Sequence, residues 1–167
     1  MSSRIYWKEV SPEVSAYDPD NPIIMMTGPA TGTLGSGTGR FSVVSKSPDP
    51  MPNCYFYSTP DGHFGPELKF AGYDGLIVEG KAERPTTLLI QDGKVEFRDA
   101  SHLWGKGSIE AQKILLAEIG ADIRILTIGQ SGEKLSRIAI INTETESAAG
   151  QGGFGALMGA KNLKAIA

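Results

Sequence analysis

Short apolar runs, each bounded by glycine, proline or small polar residues, set the rhythm of this chain. PIIMMT at 22–27 reads as a strand entering a bare stretch, GPATGTLGSGTGR at 28–40, and RFSVVS at 40–45 reads as a strand leaving it. Ahead of them, RIYWKEV at 4–10 has the spacing of a helix end closed by Pro12, and SPEVSAYDPDNP is a proline-punctuated loop. Pro48, Pro50 and Pro52 mark a further loop, NCYFYS at 53–58 a strand and TPDGHFG at 59–65 a turn. PELKFAGY at 66–73 predicts a short helix, with Pro66 at a first helical position and Gly72 as its stop. DGLIVEG at 74–80 predicts a strand, and TTLLIQDGKVEFRD at 86–99 a hairpin turning at Asp92-Gly93. The clearest helix is SIEAQKILLAEIG at 108–120, capped by Ser108 and ended by Gly120. DIRILTIG at 122–129, SRIAIINTE at 136–144 and LKAIA at 163–167 predict strands, with a short helix, GALMGAK, at 155–161. Strands outnumber helices and lack the long helical crossovers of a doubly wound sheet, so the expected fold is α+β with antiparallel or mixed sheets.

The pattern also repeats. IIMMTG at 23–28 resembles RILTIG at 124–129; RFSVVSKS at 40–47 resembles RIAIINTE at 137–144; GHFGPELKFAGYDGLIV at 62–78 resembles GGFGALMGAKNLKAIA at 152–167. Three pairs in one order, with G-x-F-G at corresponding places, predict an internal duplication: two pseudo-symmetric sheets with short helices, and paired sites.

Composition changes this picture little. The 167 residues suffice for a single domain, 1–167, and 40 % apolar with 21 % charged residues reads as globular. A net charge of −3, with scattered lysines and arginines, gives no nucleic-acid footprint, and no apolar run approaches the ~20 residues of a membrane helix. The single cysteine, Cys54, excludes an internal disulfide or a thiolate metal cage, and its flanks suggest a buried small hydrophobe in a reducing, cytoplasmic setting.

Glycine adds chemistry. The 21 glycines cluster at 28–39, 62–80 and 150–159, beside apolar segments. Successive backbone N–H groups in such turns form anion-binding nests, and Arg40, ending the first loop, can offer a bidentate fork to a phosphate. The P-loop pattern is absent, and GSGTGR at 35–40 misses the dinucleotide fingerprint at its last position and leads into a strand. His63 reads as a turn residue within reach of a ligand, His102 as a local cap or packing residue, and ETE at 144–146 as a solvated loop.

The stretches IIMMTGPATGT…GRFSVVSKSP, GHFGPELKFAGYDGLIVEGKAERP, RDASHLWGK, IGQSGEKLSRIAII and AAGQGGFGALMGAKNLKAIA together resemble the N-terminal domain of the tungsten-containing aldehyde:ferredoxin oxidoreductase family, over nearly the whole chain. The resemblance implies paired sheets forming a saddle under a tungsten (or molybdenum) ion held by two pyranopterins, whose phosphates are joined by magnesium. It further implies oxidation of an aldehyde to a carboxylic acid, with electrons passing through an iron–sulfur cluster, held outside this chain, to ferredoxin. Arg40 matches the family's pterin-contacting arginine, Gly62 the second glycine of its N-x-G-G turn, and Ala148 and Gly150 its RAAGRGG turn. The carbonyls of Thr59 and Ala148 fall where the family places its magnesium contacts.

The departures are local. Asp61 stands where the family has glycine, and Ser147 and Gln151 replace its two arginines, so the phosphate site is less positive. Relatives that reduce aromatic acyl-CoA thioesters, and a non-catalytic pterin-binding module, are the alternative expectations. The family's helical domains are not in this sequence, so the chain is expected to be a shortened piece or one subunit of a split enzyme, inactive alone, with the remaining enzyme, ferredoxin and a possible second copy as partners.

Overall fold

In a computed structural model, which describes residues 1–144 and 147–167, the elements run α1 (Ser2–Glu9), β1 (Ile23–Thr27), β2 (Phe41–Ser47), β3 (Cys54–Ser58), α2 (Phe64–Phe70), β4 (Gly75–Val78), β5 (Thr86–Gln91), β6 (Lys94–Asp99), α3 (Ser108–Ile119), β7 (Leu126–Thr127), α4 (Gln130–Glu133), β8 (Ile141–Thr143), β9 (Ser147–Ala149), α5 (Phe154–Ala160) and β10 (Leu163–Ile166). They build two sheets, ordered β3-β2-β1-β4 and β6-β5-β10-β7-β8-β9.

The duplication is visible in that order. β3-β2-β1-β4 recurs as β9-β8-β7-β10, with antiparallel pairing at every matched step. In each half the short helix, α2 or α5, precedes the last strand. The β5–β6 hairpin lies outside this repeat and extends the second sheet, β5 joining β10 in parallel. Its turn residues Asp92 and Gly93 take φ of +51° and +74°, as a two-residue hairpin turn requires.

Why the runs are continuously apolar follows from layering. Alternate strand residues point to opposite faces, so Ile23 and Met25 enter a core shared by both sheets while Ile24 faces Tyr6 of α1 on the other side. In the second sheet Leu126 and Ile128 face the shared core, and Ile125 joins Leu115 of α3 behind it. A strand covered on both faces has no polar side to display.

The repeated G-x-F-G has two structural parts. Phe64 and Phe154 both plug the shared core. The final glycines, Gly65 and Gly155, let each helix rest on backbone: a Cβ on Gly65 would sit 2.8 Å from the Gly39 carbonyl oxygen, and one on Gly155 would collide with the Ile140 carbonyl.

Several expectations are corrected. Cys54 is exposed, because it opens β3, an edge strand of the first sheet. The strands expected over 122–129 and 136–144 shrink to Leu126–Thr127 and Ile141–Thr143. In the second case the Gly155 N–H donates to the Ala139 carbonyl, so α5 takes an acceptor that a longer strand would have used. Ser108 is the first residue of α3 rather than its cap, which is Gly107. Pro66 is the third residue of α2, not its first.

Buried lysines fasten loops to this frame through carbonyl groups. Lys46 Nζ donates to the Pro12 and Val14 carbonyls, and Lys161 Nζ to those of Pro19 (2.8 Å) and Gly80 (3.1 Å). Burial pushes the Lys161 ammonium down from the usual 10.5 to about 8, with Glu79, Asp20 and Asp18 offsetting part of the fall. The folded state thus disfavours the charged form; that cost is fully present below pH 8 and is relieved as pH rises toward 10.5. Stability relative to Lys161→Met is therefore expected to rise between pH 8 and 10, a window below the titration of Tyr6 and Tyr17, whose hydroxyls burial pushes upward from 10.0. Urea midpoints of the two proteins across that range test this; parallel curves would remove the effect.

Candidate functional site

The loop at 28–40 closes largely on itself. Thr31 Oγ1 accepts from the Gly28 N–H and donates to the Arg40 carbonyl, Thr38 Oγ1 donates to the Thr33 and Gly35 carbonyls, and Lys69 Nζ donates to the Gly28 carbonyl. Threonine suits such a loop because its hydroxyl satisfies local backbone groups that have no ladder partner. The loop delivers Arg40, two-thirds exposed, to the turn between β3 and α2.

That turn is where the halves meet. Asp61 donates its N–H to Ser147 Oγ (3.0 Å) and accepts at its carbonyl from Thr143 Oγ1 (3.0 Å), so β8 and β9 of the second half hold a turn of the first. Its carboxylate accepts the Gly62 N–H at Oδ1 (2.9 Å) and meets Arg40 Nε at Oδ2 (3.4 Å). Gly62 has φ of +105°, which favours glycine, and Gly39 passes so near that a Cβ there would lie 2.7 Å from both Asp61 Oδ1 and the Gly62 carbonyl oxygen.

Of the sequence-predicted residues, the structure joins Arg40, Asp61, Gly62 and Ser147 by direct contact. Thr59 is an exposed residue of the same turn, and Ala148 follows Ser147 in β9, paired with Asn142. Gly150 and Gln151 are exposed in the turn before α5, and among the described residues no hydrogen bond joins them to Arg40 or Asp61. That turn is fixed elsewhere, the Gly152 carbonyl accepting from Ser47 Oγ (2.7 Å).

Glu144 is the residue that sequence reasoning missed, and the solvated-loop expectation fails for it. It accepts from the His63 N–H (3.3 Å), faces His63 Nδ1 (3.1 Å) and lies 3.6 Å from Arg124 Nε, while its own carbonyl accepts from Gln112. The available signal was its place at the end of the repeated arginine-led strand. Thr145 and Glu146, the remainder of that motif, lie outside the described residues. His63 is the residue before α2, with its ring exposed against Glu144, and His102 pairs with Glu118 at 3.0 Å.

The arginines of the two repeats have parted ways. Arg40 remains at the open turn, whereas Arg137 donates to the carbonyls of Pro48 (2.6 Å), Asp49 (2.8 Å) and Pro50 (3.3 Å) and clasps the halves together. A cavity of about 330 Å³ opens under α2, with Phe64, Leu68, Leu89 and Ile123 in its wall; Arg124 connects its edge to Glu144. The Arg40–Asp61 turn is therefore a surface seat rather than the floor of that cavity.

Fold and site together define a duplicated two-sheet scaffold with a polar, glycine-lined seat at the junction of its halves. The chain belongs to the family of the aldehyde ferredoxin oxidoreductase N-terminal domain, whose model matches residues 1–167. It is 47 % identical over 161 residues to a tungsten-containing aldehyde ferredoxin oxidoreductase of Pyrococcus furiosus, covering 96 % of this chain and 26 % of that protein. It is 42 % identical over 182 aligned positions to an aliphatic sulfonate oxidoreductase, WOR-like subunit, of the same organism, covering 99 % of this chain and 28 % of that protein. Among solved structures it superposes, with a TM-score of 0.93 and 40 % identity, on the active site complex BamBC of benzoyl coenzyme A reductase in complex with 1,5 dienoyl-CoA, covering 98 % of this chain and 25 % of that one. The chain thus spans about a quarter of the length of the relatives it matches and corresponds to one domain of a larger enzyme or complex. No helix among the described residues is long and apolar enough to cross a membrane.

Proposed function

We propose that this domain holds the phosphate ends of a tungsten bis-pyranopterin cofactor within a larger oxidoreductase. The observation that carries the reading is the convergence of Arg40, the Asp61–Gly62 turn and Ser147 at the junction of two duplicated halves. The donor set fits such a group in kind. Arg40 is exposed and held by one long contact, Gly39 and Gly62 keep side-chain bulk out of the turn, and a Cβ at Gly150 would meet nothing. Thr59 and Ala148 lie beside this seat, and their carbonyls are the proposed magnesium contacts. When bound, the cofactor supplies the two-electron redox chemistry. This chain's residues position it: Arg40 orients a phosphate, and Ser147 and Thr143 fix the turn that presents Gly62. In this reading the other domains close the site and carry an iron–sulfur cluster that passes electrons to ferredoxin.

Metal and pterin analysis of the assembled larger protein tests this. Tungsten with two pterins per chain is expected, and Arg40→Gln is expected to weaken pterin retention roughly tenfold, the scale of a charge-assisted hydrogen bond. Assembled protein without pterin would sink the reading. The likeness to the benzoyl-CoA reductase complex supports a second reading, in which the substrate is an aromatic acyl-CoA in place of an aldehyde. Assays of aldehyde oxidation and of two-electron reduction of the aromatic ring of an acyl-CoA, its thioester left intact, on the assembled protein separate the two.

A further inference from the structure

The phosphate reading rests on Arg40 and the Gly62 N–H, yet both already meet an anion. Asp61 takes the Gly62 N–H at one carboxylate oxygen (2.9 Å) and Arg40 Nε at the other (3.4 Å). We propose that Asp61 is a built-in competitor of phosphate: its carboxylate occupies the seat that an incoming phosphoester needs, and so sets the affinity and selectivity of the site. The proposal rests on the phosphate-binding reading above and goes beyond it by assigning a residue that opposes binding.

The placement follows from the turn. Thr143 Oγ1 and Ser147 Oγ fix the Asp61 backbone from both sides, so the carboxylate is presented by a braced segment, not a loose one. Gly39 and Gly62 let the two chain segments pass within contact of that carboxylate. Nearby charge is mixed: Glu144, facing His63 one residue beyond Gly62, is a second carboxylate on the same side, offset in part by Arg124 at 3.6 Å from it. A phosphate entering here displaces one carboxylate from Arg40 and settles near another. The Arg40–Asp61 pair is half exposed and weak by itself, so ligand entry can break it. What remains after entry is like-charge repulsion, which a divalent cation accompanying the phosphate reduces.

The experiment is calorimetric titration of inorganic pyrophosphate, with and without magnesium, into the 167-residue chain, its Asp61→Asn and Asp61→Ser variants, and the Arg40→Gln/Asp61→Asn double variant. Asparagine keeps an acceptor for the Gly62 N–H, and serine guards against a result peculiar to asparagine. Asp61→Asn is expected to tighten magnesium-free binding about tenfold, the scale of removing one like charge at close range. The gain should shrink when magnesium is present and vanish in the double variant. Equal or weaker binding by both single variants overturns the proposal. Binding by no variant also overturns it, since freeing Arg40 would then create no anion seat. Pterin analysis of the assembled protein decides the parent reading separately.

Discussion

Glu133→Ala is expected to lower the unfolding free energy by about 3–5 kcal/mol, the cost of leaving one partner of a buried ion pair uncompensated. The Lys164 side chain on β10 is fully buried and the Glu133 side chain on α4 is 5 % exposed. Lys164 Nζ donates to Glu133 Oε1 and to the Lys106 carbonyl (2.8 Å), while Glu133 Oε2 accepts the Gly105 N–H (2.8 Å). The pair thus ties three segments together: the last strand, α4, and the turn before α3. Alanine at 133 leaves a fully buried ammonium with one carbonyl partner, and it also orphans the Gly105 N–H. The pair itself is weak evidence of net stabilisation, so Glu133→Leu with Lys164→Met is expected to recover most of the loss. Guanidinium unfolding followed by circular dichroism measures both. A loss below about 1 kcal/mol for Glu133→Ala, or no recovery in the double variant, would contradict this account of the pair.

Phe154→Ala is expected to cost about 3–5 kcal/mol by cavity formation, a large part of the ~5–15 kcal/mol typical of a whole domain. Phe154 is wholly buried at the start of α5, in the core shared by both sheets. It lies against Gly152, which also approaches Phe56 of the first half, so truncation opens a void at the junction of the repeats. For a domain of this size the melting temperature should fall by roughly 10 °C, readable by scanning calorimetry. Phe154→Leu, which keeps most of the volume, should cost well under half as much. Phe64, its counterpart in the first half, is buried against Phe41 with ring centroids 5.5 Å apart, and its truncation should act in the same direction. A small effect at Phe154 would mean that the site collapses around the void.

These two residues also show what the chain makes legible. Phe154 was readable because G-x-F-G occurs twice, and matched motifs in matched order predicted two related sheets; the strand orders bear that out. The hairpin at Asp92-Gly93 was readable because its turn chemistry is local. Glu133, by contrast, sits in a polar-looking loop, and nothing within a few residues announces that Lys164 will bury against it. Glu144 was hidden for the same reason: its partner His63 is 81 positions away. Asp61 and Ser147 stood out as site residues through a family resemblance, yet their mutual hydrogen bond spans 86 positions and no periodicity encodes it. Cys54 was misjudged because period-two patterning marks a strand without telling an edge from a centre.

Arg137 has a consequence for anything the scaffold grips. Its guanidinium is committed to the Pro48, Asp49 and Pro50 carbonyls, while its counterpart Arg40 stays at the open turn. The framework is close to two-fold, but its hands differ: one has become a buckle and the other remains a palm. On the proposed reading, a cofactor with two like ends would meet unequal holds and so take one direction on a nearly symmetric support.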